Sequence, residues 1–115
     1  MLKIKRIYDP PSRADGKRVL VDRLWPRRMK KEEARIEEWM RGISPSDELR
    51  KWFSHEPSKW RDFSTRYKKE LKDKQELVEK LRDYSREGIV TLLYSAKDKE
   101  HNNAVVIKEV VEGKM

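Results

Sequence analysis

Cysteine is absent from this 115-residue chain, which excludes disulfides, thiolate metal sites and a cysteine nucleophile. Histidine occurs only as His55 and His101, too few for an all-histidine catalytic zinc site within one chain. The four glycines are scattered at Gly16, Gly42, Gly88 and Gly113, so no glycine-rich phosphate loop exists and a dinucleotide cofactor is not expected. No paired-histidine or calcium-loop spacing appears either, so neither metal nor cofactor is expected. Ser95 lacks the flanking glycines of a nucleophile elbow, which leaves acyl transfer without support. No window approaches the roughly 18 apolar residues of a membrane span. The opening MLKIKRIYDP has no signal-peptide apolar stretch. A cytoplasmic location without a membrane partner is the expectation.

What the chain does contain is charge and aromatic surface. Charged residues make up 43% and hydrophobic ones 36%, yet four Trp, four Tyr and two Phe supply large apolar areas. That combination suits a folded chain better than a disordered one, and the length suits one domain over residues 1–115. Abundant Lys and Glu together resemble the composition of heat-adapted proteins. The formal net charge is +8, shared by both halves. It is sharpest from Arg23 to Lys31, where RLWPRRMKK carries five cations, no acid and Trp25. Such a run suits a phosphate-bearing ligand, by ion pairing and by stacking, and equally suits a solvated loop around a buried Trp.

Leu2 to Tyr8 alternates and predicts a strand, ended by Asp9-Pro10-Pro11-Ser12 because proline lacks a backbone donor. Arg18 to Asp22 is a β-branched run bounded by turns, the pattern of a strand buried on both faces. Residues 30–43 support two readings. Ile36, Trp39, Met40 and Ile43 fit helical spacing, whereas a short helix over Lys31–Arg35 followed by a strand from Ile36 suits a parallel sheet. Ser44-Pro45-Ser46, followed by Asp47 and Glu48, starts a helix to about Phe53. Trp60, Phe63, Tyr67 and Leu71 form one helical stripe, and Leu77, Leu81 and Tyr84 the next, ended by Gly88. Ile89 to Tyr94 is the strongest strand, and Ala104 to Val111 a closing helix with Ala104, Ile107 and Val111 inward.

This order predicts an α/β fold: a small Rossmann-like layered domain with a short, mostly parallel sheet covered by helices. In such a sheet ligands lie outside the carboxyl ends of the strands. Those ends are Tyr8-Asp9, Asp22-Arg23 and Ser95-Ala96-Lys97-Asp98, so polar residues converge on one rim.

Three blocks then stand out in order: DPPSRADGKRVLVDRLWPRR, ISPSDELRKWFSHEP with a following RY..EL, and VTLLYSAKDKEHNNAVVI. Together they resemble the domain-of-unknown-function family 488, in its short YeaO-like group, over roughly Ile4 to Val110. The resemblance implies a Rossmann-like α/β domain with one strand ending in Asp-Arg and a later strand leading through a polar stretch into a helix. Larger relatives look as if they carry a Cys near the end of the late strand and a Cys-His-Arg element at the next helix. Here those positions read Tyr94 and His101-Asn102-Asn103, so thiol chemistry does not carry over.

The candidate site follows. Asp22 and His101 are the acid–base candidates for a hydrolase or transferase, and Arg23, Trp25, Arg27, Ser95, Asn102 and Asn103 the ligand-binding ones. Each has a structural counterpart. Asp22 can fix the loop through an internal Asp–Arg or Asp–backbone lock, Trp25 and Pro26 can serve as loop packing, and one of Asn102 and Asn103 can cap the last helix. His101 can be a structural hydrogen-bonding group, and His55 a helix-end contact or a pocket residue. Lys68, Lys69, Lys72 and Lys74 read as a solvated helix face before a nucleic-acid track, since acids are interleaved. The expected partner is an anionic small molecule or a nucleic acid. The alternative is a non-catalytic protein–protein or assembly module, dimerising through a helical face.

Overall fold

The computed structural model describes residues 1–113. Four strands, β1 (Leu2–Arg6), β2 (Lys17–Leu20), β3 (Glu38–Trp39) and β4 (Val90–Tyr94), form a sheet ordered β1-β4-β2-β3. Every pairing is parallel, with Ile4 and Val19 both in register with Leu92. The α-helices are α1 (Lys31–Ala34), α2 (Asp47–Phe53), α3 (Trp60–Lys72), α4 (Gln75–Glu87) and α5 (Asn103–Val111). The fold is α/β, as the alternating pattern predicts.

Strand side chains alternate between faces, so each central strand feeds two cores. Leu2, Val19, Val21, Val90, Leu92 and Tyr94 meet the buried stripes of α2 to α5, including Phe63, Tyr67, Leu71, Ala104 and Ile107. On the opposite face Ile7, Leu20 and Leu93 pack with Ala34 and the half-buried Trp25, Met29, Ile36 and Trp39. That second layer is a loop carrying one helical turn rather than a full helix.

Residues 36–43 do not form the helix their spacing allows. Arg35 enters the left-handed region at φ 47° and ends α1, and β3 then pairs Val19 with Glu38 and Leu20 with Trp39. Flanking bonds run from Glu37 N to Arg18 O and from Met40 N to Leu20 O, both 2.8 Å. The edge of β2 would otherwise leave these backbone acceptors buried and unpaired, which outweighs the local periodicity. The apolar residues divide accordingly, Ile36 and Trp39 going to the second core and Met40 and Ile43 to the first. β1 and β2 each stop two residues short of the predicted Tyr8 and Asp22. Ile7 N still bonds Tyr94 O at 2.8 Å and Val21 N bonds Leu93 O at 3.1 Å, so only the last residue of each run turns away.

The predicted two-sided burial of β2 holds, although one of its buried residues is Arg18. Its guanidinium reaches Asp15 Oδ2 at 2.6 Å and Ala34 O at 2.8 Å, joining the loop before β2 to α1. Asp15 also accepts from Lys5 Nζ at 3.0 Å and Ser12 N at 3.0 Å. Burial pushes the Asp15 carboxyl up, but the Ser12 amide, Lys5 and Arg18 together hold it below the usual aspartate value. Gly16 lies beside this cluster at φ +62°, and an added Cβ would stand 2.2 Å from Ile89 O. Only glycine fits there.

Helix α3 anchors the start of α2. Glu70 accepts from Ser46 N at 2.8 Å and Ser46 Oγ at 2.6 Å, Tyr67 donates to Ile43 O at 2.5 Å, and Lys74 donates to Ser44 O at 2.7 Å. Lys74 is therefore a half-buried structural donor rather than part of a solvated face, and Lys68 pairs with Glu109 at 3.0 Å.

Two outcomes follow for stability. Gly16→Ala is expected to cost about 3 kcal/mol and Arg18→Ala about 3 kcal/mol, measured by chemical denaturation. Asp15 has a lowered folded-state pKa, so its contribution is complete above about pH 4 and is lost as pH falls through the folded value. Unfolding free energy is expected to decline below about pH 4, and Asp15→Asn to flatten that decline.

Candidate functional site

The carboxyl ends of β1, β2 and β4 open onto a cavity of about 380 Å³. All the predicted site residues lie on its wall: Asp22, Arg23, Trp25, Arg27, Ser95, His101, Asn102 and Asn103. His55 is there as well. Chain direction explains the convergence, since parallel strands deliver every β-to-α connection to the same end of the sheet.

Within the wall, the residues divide by how fully they are engaged. Asp22 is the most occupied. Its Oδ2 accepts from Ser95 Oγ at 2.6 Å and Ser95 N at 3.0 Å, and its Oδ1 from Asn103 Nδ2 at 3.1 Å. Asn103 Nδ2 also donates to Val21 O at 2.9 Å, and Trp39 Nε1 to Asp22 O at 2.7 Å. The carboxylate thus ties the end of β2 to the end of β4 and to the start of α5. Its partners are neutral donors, so of the two internal locks the sequence allows the Asp–backbone one forms, through Ser95 N, and the Asp22–Arg23 one does not. Asn102 is the helix cap, its Oδ1 accepting from Val105 N at 3.2 Å while its Nδ2 donates to Asp98 O at 3.0 Å. Trp25 donates Nε1 to Met29 O at 2.7 Å and sets its ring edge-on against Trp39, with centroids 5.5 Å apart. One side of Trp25 is therefore loop packing, while the residue still borders the cavity.

His101 is oriented rather than free. Its Nδ1 lies 2.8 Å from Asp98 Oδ2 and its ring meets Trp60 edge-on at 5.1 Å. The imidazole beside Asp98 holds that carboxyl below its usual value, with the Glu100 and His101 amides adding to the effect. Nε2 is left without a protein partner among the described residues, able to serve a ligand as donor or acceptor.

Three arginines carry the positive charge. Arg23 Nε is 3.3 Å from Pro45 O and 3.5 Å from Asp47 Oδ1. Arg50 Nη2 reaches the same Asp47 oxygen at 3.2 Å, and Arg50 Nε is buried with no partner. A buried donor left unmade costs about 1–3 kcal/mol, so this atom is a standing penalty in the free protein. The Arg27 guanidinium has no protein partner among the described residues, and the Arg27 carbonyl accepts from Tyr8 Oη at 2.9 Å. Asp22 is the only carboxylate on the cavity wall among the described residues. The electrostatics favour an anion.

Arg50, Phe53 and Phe63 were absent from the sequence-derived site. A signal for Arg50 existed, because it precedes Phe53 by three residues and so shares that residue's face of α2. Tyr8 was marked only as a strand end. His55 sits at φ 56°, after Ser54 at φ 45°, so two successive left-handed residues place its ring 6.2 Å from Phe53.

Residues 1–115 match the family described as the inactive DUF488-N3 subclade. The chain belongs to the DUF488 family. Among relatives, the Escherichia coli K12 protein YeaO is 42% identical over 108 residues, covering 94% of each chain. The Mycobacterium tuberculosis H37Rv protein Rv3073c is 34% identical over 113 residues, covering 98% of this chain and 95% of the relative. No solved structure matches the chain. Among the described residues no helix is long and apolar enough to cross a membrane, and no cluster of His, Asp and Glu has the makings of a metal site.

The shared carboxylate makes Asp22, Ser95 and Asn103 energetically dependent on one another. Asp22→Ala is expected to cost about 2 kcal/mol, and the Asp22→Ala/Ser95→Ala cycle to show a coupling of about 1 kcal/mol or more in denaturant titrations. Additive losses would mean that the clamp contributes little.

Proposed function

We propose that this DUF488 domain is a non-catalytic binder of a phosphate-bearing ligand, a nucleotide or a nucleic acid, in the strand-end cavity. The observation that carries the reading is the surplus of guanidinium charge on the wall: Arg27 without a partner among the described residues, and Arg23 and Arg50 sharing one oxygen of Asp47. Guanidinium forks match phosphate oxygens bidentately, and such charge-assisted bonds are the stronger kind. His101 Nε2 adds a further polar group on the same wall.

Hydrolysis or transfer with Asp22 and His101 as an acid–base pair has less support. Both Asp22 oxygens are already accepting from Ser95 and Asn103, which leaves the carboxylate as a clamp rather than a base. The description of the matching subclade as inactive points the same way.

A thermal-shift series tests the reading. A ligand at about 100 times its Kd adds about 2.7 kcal/mol, so phosphate compounds at saturating concentration are expected to raise Tm by several degrees. Arg27→Ala is expected to reduce that rise without changing the unliganded Tm, and added salt to weaken it. No rise with any phosphate compound at low salt removes the reading.

A second reading, the protein–protein module, draws on one observation. Leu24 is 56% exposed and Tyr8 39% exposed, both at the cavity lip. Light scattering across a hundredfold concentration range would reveal a dimer, and Leu24→Asp would abolish it. A constant monomer mass removes self-association through this lip.

A further inference from the structure

Resting on that binding reading, we propose that the ligand is a free phosphomonoester of mononucleotide size, with an aromatic or heteroaromatic body and a terminal phosphate, rather than a nucleic-acid chain.

Size is the first argument. The cavity holds about 380 Å³, near the lower end of small-molecule sites and enough for one compact ligand. The second is the arrangement of its wall. Arg23 and Arg50 converge on one oxygen of Asp47, at 3.5 and 3.2 Å, so two guanidinium groups share a single exposed carboxylate. That leaves a surplus of one cation at the point where Arg50 Nε lacks an acceptor. A phosphate oxygen meeting the exposed Nη edge of Arg50, whose side chain is 40% exposed, would answer that surplus, and a terminal phosphate with its higher charge does so better than a diester.

The third argument is what lies next to that cation pair. Phe53 is one helical turn from Arg50 and stacks on Phe63 with centroids 4.4 Å apart, and both rings reach the cavity wall. The exposed His55 ring is held over the same region by consecutive left-handed residues: Ser54 caps α2 through its amide to Arg50 O, and His55 follows at φ 56° with its ring 6.2 Å from Phe53. A flat, apolar-faced group laid on the exposed ring of His55, with Phe53 beside it, would use that placement, as stacking on rings does for any base. One end of the cavity is thus cationic and its neighbour aromatic. A phosphomonoester on a planar body has the same two ends.

A polymer would need the cations to continue beyond the cavity, and on the side of α3 the neighbouring ones are spent. Lys59 donates to Trp52 O at 2.9 Å, Arg66 covers the Trp52 ring at 4.1 Å, Lys68 pairs with Glu109, and Lys74 is bonded to Ser44 O. On the other lip the basic run ends at Glu32 and Glu33 of α1. A phosphate track requires regularly spaced free cations.

The test is calorimetric titration of the full chain at low salt with inorganic phosphate, ribose 5-phosphate, the nucleoside 5′-monophosphates, the unphosphorylated nucleosides, and single-stranded oligonucleotides of increasing length. At least one nucleoside monophosphate is expected to bind about tenfold or more tighter than ribose 5-phosphate, and its nucleoside about tenfold or more weaker. Arg50→Met is expected to lose most of that affinity while the free protein melts no lower, because it removes an unsatisfied buried donor. His55→Gly, which suits the left-handed backbone, is expected to keep the fold and erase the advantage over ribose 5-phosphate. Equal affinity for ribose 5-phosphate and every nucleoside monophosphate overturns the ligand class while the binding reading stands. So does affinity that rises steadily with oligonucleotide length, which would favour a nucleic-acid track. If none of the phosphate compounds binds, the binding reading itself fails.

Discussion

The cavity exists because one carboxylate holds three segments of chain together. Asp22 leaves β2 just after its last ladder bond and accepts from Ser95, at the end of β4, and from Asn103, in the first turn of α5. Parallel strands have no hairpin turn to fix the spacing of their ends, so a side-chain clamp does it here. Because its partners are neutral, the clamp is made without consuming an arginine. Arg23 and Arg27 consequently remain at the cavity, where an Asp22–Arg23 lock would have cancelled one of them.

That division of labour separates structural ionic groups from those facing the strand-end cavity. On the opposite face of the sheet Asp15, Arg18 and Lys5 satisfy each other and the carbonyl of Ala34, buried where a lone charge would be costly. At the cavity the balance is left incomplete, with Arg50 Nε unbonded and His101 oriented by Asp98 through one nitrogen only. The matching subclade is described as inactive, and Asp22 accepts three hydrogen bonds from Ser95 and Asn103.

Much of this was legible in the residues. The two apolar runs that become β2 and β4, the helical stripes from Trp60 to Leu71 and from Leu77 to Tyr84, and the Ser46 start of α2 follow from spacing and capping alone. The shared rim also followed, because a parallel sheet sends its strand ends to one side. Arg50 and the aromatic pair Phe53 and Phe63 did not emerge, since apolar helical spacing marks a residue as inward without saying whether it meets packed core or an open wall. Residues 36–43 were ambiguous for a related reason. Their spacing satisfies a helix, and only the free edge of β2 decides for a strand and a turn.

Outside residues 36–43, local order in the chain therefore determined which segments are strands and helices, and which residues stand near the strand ends, because those depend on periodicity and on backbone propensity over a few neighbours. What partners Asp22, which arginines stay unpaired, and how Arg50 comes to lie beside Arg23 depend on groups that are distant in the chain. Those outcomes were settled by tertiary structure, since hydrogen bonds are claimed by whichever donor folding brings within about 3 Å.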